Sequence, residues 1–256
     1  MSQTKLHVKS IGQGHDVVML HGWGVNGAVF TALPDLLPQY RFHFVDLPGF
    51  GESNVVAGDI NDWLASIIAN VPKSAIWIGW SLGGLVATLA ALKYPQHVSA
   101  LCTISSSPCF MAREEESWPG IPPNVLAQFA TQLTQDLDKT IERFLAIQAM
   151  GSQTVKGDIK QLREWVLAKP QPQFTALDQG LDMLARVDLR NQLPLIKQPW
   201  LRIWGKLDGL VPRRVIKLMP NLSNSEDVIL PKASHAPFIS HTGDFVTALD
   251  RWLKKH

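Results

Sequence analysis

The chain has 256 residues, of which 46% are hydrophobic and 18% charged, which suffices for the core of one α/β domain with an insertion. Its net charge of +2 is too small to favour nucleic acid as a partner, and its two cysteines, Cys102 and Cys109, suit neither a disulfide framework nor a metal site. No apolar run approaches the roughly 18 residues that cross a bilayer, and the first residues lack the apolar centre of a signal peptide. We therefore expect a cytoplasmic monomer without membrane contact, cofactor or metal.

Strands and helices alternate along most of the predicted structure. Apolar runs predict strands, after shorter N-terminal pieces, near residues 17–20, 41–45, 75–79, 99–104, 200–204 and 227–230. The helical spacing of apolar residues predicts helices between the strands, among them 59–68, 82–94 and 244–254. This alternation is typical of the α/β class, with a mostly parallel sheet flanked by helices on both faces.

The span from 110 to 190 interrupts the alternation. It begins with the proline-rich stretch 118–123 and continues with helical segments, but it contains no convincing strand. It lies between the strand that ends near residue 104 and the strand that starts near residue 200. We therefore expect a core formed by residues 1–109 and 191–256, with residues 110–190 inserted as a helical cap over the functional edge of the sheet.

A candidate nucleophile lies in Gly79-Trp80-Ser81-Leu82-Gly83, a G-x-S-x-G pattern between a predicted strand and a predicted helix. A turn this tight forces unusual backbone angles and brings the helix against the neighbouring strand, where a Cβ would collide. The flanking glycines therefore suit a nucleophile elbow that exposes the Ser81 hydroxyl at the sheet edge. The pattern also occurs by chance, and its strand and helix context favours the catalytic interpretation.

A serine hydroxyl needs a base and a carboxylate that orients the base. Asp208 follows the strand at 200–204, and His235 lies in the loop after the strand at 227–230. The order Ser81, Asp208, His235 is that of the α/β-hydrolase fold, so we predict this fold and this triad. Taken alone, Asp208 before Gly209 also suits an ordinary turn. His241 is a rival base, but it directly precedes the predicted last helix.

An oxyanion hole requires two backbone donors aimed at the oxygen that becomes negative. The N–H of Leu82, directly after the nucleophile, is the first candidate. The loop His21-Gly22-Trp23-Gly24 follows the strand at 17–20, and the N–H of Trp23 is the second candidate. We expect hydrogen bonds of His21 to hold this loop in shape, and we expect the Trp23 indole to form a wall of the acyl site.

Eight stretches of the chain match a known family: 20–24, 45–51, 79–84, 105–110, 118–120, 142–146, 207–212 and 235–241. The triad motifs alone identify only the α/β-hydrolases. The combination of Gly-Trp-Ser-Leu-Gly-Gly, Ser-Ser-Pro-Cys-Phe and Glu-Arg-Phe-Leu-Ala is far more discriminating. Through these stretches the chain resembles the pimeloyl-[acyl-carrier protein] methyl ester esterases of biotin synthesis over essentially its whole length.

The resemblance implies a serine carboxylesterase that hydrolyses the methyl ester at the far end of a carrier-bound pimeloyl chain. The products would be methanol and pimeloyl-acyl carrier protein. It also implies a substrate-binding site formed by Trp23, Ser81, Leu82, Phe144, Leu145, Ala146, Ile147, Gln148 and His235. Considered singly, Phe144 and its apolar neighbours are equally typical of helix residues that face a core.

Acyl carrier proteins are acidic, so cationic side chains are expected near the mouth of the pocket. Helical spacing places two sets on one face each, Lys139 with Arg143, and Lys156 with Lys160 and Arg163. Since acidic residues are interleaved with them, an ordinary solvated helix surface is the alternative interpretation. The family uses cations in this region, which favours carrier contact, although several positions where it has arginine are lysine here.

Two other functions are compatible with the same residues. A short-chain carboxylesterase of broad specificity, without a carrier partner, would use the same triad. A ligand-binding protein that has kept the pocket of a hydrolase and lost its chemistry is the second alternative. A complete triad with both oxyanion donors argues against the latter, and a serine at position 81 disfavours hydrolases with a carboxylate nucleophile.

Overall fold

The computed structural model describes residues 5–149 and 155–256. The strands of this part, in chain order, are β1 Val8–Gly12, β2 His15–Leu20, β3 Tyr40–Val45, β4 Ala75–Trp80, β5 Val98–Ile104, β6 Trp200–Gly205 and β7 Ser225–Leu230. They form one sheet in the order β1-β3-β2-β4-β5-β6-β7. Strand β1 runs antiparallel to β3, and all other neighbours are parallel. The six strands expected from the sequence are present, so the predicted mostly parallel α/β sheet is confirmed.

The helices of the described residues are α1 Leu33–Leu36, α2 Ile60–Asn70, α3 Leu82–Lys93, α4 Pro123–Gln135, α5 Leu137–Ala149, α6 Val155–Leu167, α7 Phe174–Arg186, α8 Pro237–Ser240 and α9 Thr242–Leu253. Helix α2 begins at a capping box, in which Asp59 and Asp62 each accept a hydrogen bond from the other's backbone N–H. Helices α2, α3 and α9 match the three helices expected at 59–68, 82–94 and 244–254. Among the described residues, no helix combines the length and the apolar character needed to span a bilayer.

The centre of the molecule lies around β4 and α3. Every residue of β4 and of β6 is buried, and α3 is buried from Leu82 to Ala91. Strands covered on both faces become continuous apolar runs, which explains why 75–80 lacks polar alternation, while β6 contains one charged residue, Arg202, which is buried and paired with Asp227. The loops that leave β2, β4, β6 and β7 all emerge at the carboxyl edge of the parallel sheet, where α/β proteins place functional groups.

Helices α4 to α7 occupy the chain between β5 and β6. Backbone pairing in this segment is limited, within the described residues, to isolated bridges from Met111 to Ile121 and from Arg113 to Trp118. Several polar contacts join the segment to the sheet domain, including the following two. The indole N–H of Trp23 donates to the carbonyl of Leu177 at 2.8 Å, and the ammonium of Lys169 lies 2.8 Å from the buried carboxylate of Asp46. The helical segment therefore packs directly over the carboxyl edge.

Candidate active site

Ser81 sits in a sharp turn between β4 and α3, with φ 54° and ψ −121°. Glycines make this turn sterically feasible. A Cβ on Gly79 would lie 2.2 Å from the carbonyl oxygen of Gly83, and a Cβ on Gly83 would lie 2.2 Å from that of Leu20. Any larger residue would push the helix off the strands, so the strand, turn and helix together hold a serine in a backbone conformation that is otherwise rare.

The three residues proposed as a triad are linked by two hydrogen bonds, both made by His235. His235 Nε2 is 2.9 Å from Ser81 Oγ, and His235 Nδ1 is 2.8 Å from Asp208 Oδ2. Since a carboxylate can only accept, the ring proton belongs on Nδ1, which leaves Nε2 free to accept the serine proton. The imidazole is fully buried, so this arrangement is shielded from competing water.

Both oxygens of the Asp208 carboxylate are engaged. While Oδ2 faces His235, Oδ1 accepts the backbone N–H groups of Leu210 at 2.8 Å and Val211 at 3.0 Å. Asp208 therefore does begin a turn, as its position before Gly209 suggested, and this turn fixes the orientation of the carboxylate toward His235. The rival base His241 is hydrogen-bonded to Ser240 Oγ at 2.9 Å, and the base that reaches Ser81 is His235.

The backbone around the histidine is tied to its neighbours. Leu207 N–H donates to the carbonyl of Ala233 at 2.9 Å, which joins the loop of Asp208 to the loop of His235. The indole N–H of Trp80 donates to the carbonyl of His235 itself at 2.8 Å. On the other side of the elbow, the hydroxyl of Ser106 donates to the carbonyl of Ser81 at 2.8 Å. Such support holds the reacting side chains in one geometry before substrate binds.

The two segments expected to supply an oxyanion hole, the start of α3 and the loop after β2, meet at the nucleophile. Leu82 is the first residue of α3, and the N–H of a first helical residue has no acceptor within its own helix. A Cβ on Gly22 would lie 3.2 Å from Ser81 Cβ, which places Gly22, the residue before Trp23, directly against the nucleophile. The position of the loop supports the Trp23 N–H as the second donor.

His21 fixes the loop of residues 21–24 through hydrogen bonds of both its ring nitrogens. Its Nδ1 lies 2.7 Å from the carbonyl oxygen of Gly22, and its Nε2 lies 2.9 Å from the backbone N of Leu47. The first partner can only accept and the second can only donate, so the ring is neutral with its proton on Nδ1. Burial lowers the pKa of His21 from 6.5 to about 4. The residue is therefore suited to shaping the loop rather than to proton transfer at neutral pH.

The depressed pKa of His21 predicts a loss of stability in mild acid. Between pH 6.5 and about pH 4 the unfolded chain binds a proton at His21 that the folded chain does not bind. The unfolding free energy should therefore fall as pH drops through this window, by roughly 3 kcal/mol if the full shift is expressed. Urea unfolding at pH 7 and pH 4.5 measures this fall. In the variant His21→Gln, which cannot titrate, the decrease should be smaller, and an unchanged decrease would assign it to other groups.

The wall of the site is aromatic. Trp23 is fully buried, and its ring centroid lies 4.6 Å from that of Phe144 in α5. Phe144 in turn meets Phe129 edge-on at 5.6 Å. Leu145 is buried and lines a separate cavity of about 210 Å³ between α5 and α6, while Ala146 and Ile147 are half-buried. Gln148 is a residue of α5 whose side chain lies outside the described part. Of the acyl-site residues expected in α5, Phe144 is the one with a described contact to Trp23.

Gly180 in α7 is a site residue that sequence reasoning missed. A Cβ at this position would lie 2.6 Å from Trp23 Cδ1 and 3.3 Å from Leu82 Cδ2. The helix can approach the oxyanion loop this closely only because position 180 has no side chain. An isolated glycine inside an otherwise helical pattern was the available signal, since such a residue usually has a packing reason.

Adding one methyl group to Gly180 should have the opposite effect to the same change at Gly157. Gly180→Ala forces Trp23 or α7 to move, and we expect it to lower the unfolding free energy by about 1–3 kcal/mol and to reduce kcat/KM for any ester. Gly157 lies in α6 with open space around its Cβ, so Gly157→Ala should be stabilising by about 0.5–1 kcal/mol through helix propensity. Urea unfolding of both variants, with ester kinetics, is the measurement. Equal effects at the two positions would contradict the packing role.

Ser81 is closely covered in this structure. Its exposed fraction is 3%, and that of His235 is zero. A cavity of about 710 Å³ lies elsewhere, between the start of α2 and helices α4 and α7. In this structure the nucleophile and its base are therefore almost fully enclosed by the surrounding described residues.

The cations expected at the pocket mouth lie on α5 and α6 and are exposed where their side chains are described. Arg143 donates to Gln132 at 2.7 Å and lies over the ring of Phe129. Arg163 pairs with Glu142 at 3.1 Å, and Lys160 lies 3.9 Å from Glu164. Lys139 is exposed, and the side chain of Lys156 lies outside the described part. These helices thus carry cations that are partly neutralised by their own acidic neighbours.

A group of three possible metal ligands lies outside the triad. His7, Asp46 and Glu52 are close enough together to hold a cation. The Lys169 ammonium lies 2.8 Å from Asp46 and 3.8 Å from Glu52, so a positive charge is already present there. Asp46 also accepts the backbone N–H of Gly27 and of Glu52. This cluster joins the helical segment to the sheet rather than offering a metal centre.

A serine held on an elbow, a histidine and carboxylate aligned behind it, and donors beside it define a hydrolase of the serine type. The sequence profile described as the alpha/beta hydrolase fold matches residues 17–242, so the chain belongs to that family. A solved esterase from Exiguobacterium antarcticum is similar over 98% of this chain and 96% of its own, with a TM-score of 0.88 and 25% sequence identity.

Relatives of similar sequence identify a narrower family within the α/β-hydrolases. A pimeloyl-[acyl-carrier protein] methyl ester esterase from Shewanella woodyi is 64% identical over 253 residues, which is 98% of this chain and 99% of the relative. One of the same name from Aeromonas hydrophila is 51% identical over 252 residues, covering 96% and 98%. The chain is therefore a member of the pimeloyl-[acyl-carrier protein] methyl ester esterase family, as its sequence motifs predicted.

Proposed function

We propose that this protein is a serine carboxylesterase that cleaves the methyl ester of pimeloyl-[acyl-carrier protein] methyl ester in biotin synthesis. The observation that supports this most is the pair of hydrogen bonds, 2.9 Å and 2.8 Å, that link Ser81 to His235 and His235 to Asp208 in a chain 64% identical to an esterase of that name. The substrate class comes from the relatives' names, and the reaction type comes from the site.

The proposed reaction has two steps. His235 takes the proton of Ser81 as Oγ attacks the ester carbonyl, and the N–H groups of Leu82 and Trp23 stabilise the oxyanion. His235 then gives its proton to the departing methoxide, so that methanol leaves and an acyl-enzyme remains. Water, deprotonated by His235, attacks the acyl-enzyme, and the carboxylate product leaves with Ser81 restored. Asp208 stabilises the imidazolium in both steps.

The proposal extends to the arrangement around the triad. Residues 110–190 act as the cap, with Trp23, Leu82 and Phe144 to Gln148 forming the acyl site beneath it. The packing of Phe144 on Trp23 supports that position for the acyl chain. Lys139, Arg143, Lys156, Lys160 and Arg163 are proposed as carrier contacts on the outside of the cap. We also propose that the enzyme acts as a monomer in the cytoplasm, and sedimentation velocity tests the oligomeric state.

The decisive experiment is incubation of the purified protein with the carrier-bound pimeloyl methyl ester. Mass spectrometry of the carrier should show the loss of one methylene unit. A panel of free short-chain esters, measured in parallel, separates the proposal from a broad carboxylesterase, which would prefer the free esters. An unchanged carrier mass together with no labelling of Ser81 by a fluorophosphonate would instead favour a ligand-binding protein.

A further inference from the structure

Trp80, the residue directly before the nucleophile, is fully buried at the carboxyl end of β4. Its indole N–H donates to the main-chain carbonyl of His235 at 2.8 Å, and the centroid of its ring lies 5.7 Å from that of the imidazole. The same residue is covalently joined to Ser81. The proposed reaction assigns Trp80 no step, yet its side chain contacts the base through both its main chain and its ring.

The base depends on contacts of this kind. His235 lies between the end of β7 at Leu230 and the start of α8 at Pro237. A loop residue lacks the repeating backbone hydrogen bonds of a strand or helix, so individual contacts fix its position. The serine proton moves between Ser81 Oγ and His235 Nε2, which lie 2.9 Å apart. Since a misplacement of about 1 Å can cost a hundredfold in rate, the contact between Trp80 and the His235 carbonyl bears directly on this transfer.

The indole also packs against the loop that carries the proposed second oxyanion donor. A Cβ on Gly22 would lie 3.3 Å from Trp80 Cε3 and 3.2 Å from Ser81 Cβ, so this loop meets the indole and the nucleophile together. Gly22 directly precedes Trp23, whose N–H is the proposed donor. A shift of the indole would therefore disturb the base and the oxyanion loop at once.

The position of the indole is itself well determined. Phe238 in α8 meets it edge-on, with ring centroids 5.0 Å apart. Strand β4, which carries Trp80, is buried along its whole length and lies between β2 and β5 in the sheet. Close packing on a central strand leaves a large aromatic ring little freedom to move. Trp80 therefore has the rigidity that a spacer between the base and the oxyanion loop needs.

Trp77, three residues earlier in β4, shows that burial alone does not produce such a hydrogen bond. It is also fully buried, and its indole N–H has no hydrogen-bond partner among the described residues. Because side chains alternate along a strand, positions 77 and 80 lie on opposite faces of the sheet. The two tryptophans share a strand and a degree of burial and differ in the contact to the base, which makes Trp77 a matched control.

We propose that Trp80 is a positioning residue, which holds the main chain of His235 and the oxyanion loop at the distances from Ser81 that the reaction requires. The inference rests on the proposed function, because that function gives Ser81 and His235 their roles. Trp80 acts through His235 and makes or breaks no bond. Its loss should therefore slow the chemical steps and leave the affinity for substrate almost unchanged.

The test replaces the two tryptophans in turn. Trp80→Phe should lower kcat for a free short-chain ester about ten- to a hundredfold, with KM within about threefold of wild type. Trp77→Phe removes the same volume from the same strand, but its N–H has no partner to lose, so kcat should stay within about twofold. Labelling of Ser81 by a fluorophosphonate should slow in Trp80→Phe by a factor similar to that for kcat, because this reaction needs the base but no carrier.

A second replacement isolates the hydrogen bond from the loss of volume. The analogue 3-benzothienylalanine keeps the fused two-ring shape of tryptophan and has sulfur in place of the indole N–H. Introduced at position 80, it should preserve the fold and still lower kcat about tenfold, whereas at position 77 it should have no effect. The ¹⁵N shifts of His235 should keep the proton on Nδ1 in every variant, because Asp208 is unchanged. This readout separates a misplaced base from one with the wrong tautomer.

Equal kcat in the variants at positions 80 and 77 would overturn the proposal. A raised KM with unchanged kcat would identify Trp80 as a wall that contacts the substrate, and the proposal would again be wrong. Failure of the proposed function looks different. If the wild type hydrolysed free esters but left the carrier-bound ester intact, the proposed substrate would be wrong, while the comparison of positions 80 and 77 with free esters would still decide the role of Trp80.

Discussion

Replacing Ser81 by alanine should reduce kcat for ester hydrolysis by about a millionfold, because no other group can take over the covalent step. The fold should survive the change. Alanine has the same Cβ as serine, so the strain at φ 54° is neither relieved nor increased. The lost hydrogen bond to His235 costs about 1 kcal/mol, a small part of the stability of a chain this size. Ester kinetics with an active-site titration, and urea unfolding beside the wild type, are the measurements.

The matched control is Ser105→Ala. Ser105 is also a fully buried serine with positive φ, 45°, and its hydroxyl has no hydrogen-bond partner among the described residues. The same substitution there should leave kcat within about twofold of wild type, because no contact to the proposed reacting groups is removed. A fluorophosphonate should label wild type and Ser105→Ala but not Ser81→Ala. Retained turnover in Ser81→Ala would direct the search to another nucleophile.

The sequence predicted the strands well because their signals are local. An apolar run such as 75–80 predicts a strand that is buried on both faces of a sheet. A glycine-rich turn directly after such a strand predicts a tight elbow. Ser81 and His235 each follow the carboxyl end of a parallel strand, which is why side chains 154 residues apart could be expected at one edge of the sheet.

The missed contacts depend on how separate elements pack. Nothing in the local pattern of α7 indicates that Gly180 meets Trp23, since the two are separated by most of the chain. The same is true of Lys169 and Asp46, which form an ion pair across 123 residues. The lack of strands between residues 110 and 190 suggested that a helical segment covers the sheet. How the helices are positioned on the sheet is set by close contacts between distant residues, which local sequence patterns do not indicate.

Asp208→Asn should lower kcat by about ten-thousandfold while leaving stability close to wild type. The reason lies in the two backbone N–H groups, of Leu210 and Val211, that point at Oδ1. These donors require the amide oxygen on their side, which turns the amide NH₂ toward His235. A donor facing Nδ1 moves the ring proton to Nε2, and the histidine can then no longer accept the proton of Ser81.

The tautomer provides a readout that a purely structural role for Asp208 would not change. The ¹⁵N shifts of His235 should report a proton on Nδ1 in the wild type and on Nε2 in Asp208→Asn. Asp208→Ala serves as the comparison, because it also removes the acceptor for Leu210 and Val211 and should therefore cost about 1–3 kcal/mol of unfolding free energy that the asparagine variant retains. The amide of Asp208→Asn keeps the shape of the side chain and loses only the charge and the acceptor that faces the imidazole. A kcat within tenfold of wild type in this variant would therefore show that the carboxylate does not orient the base.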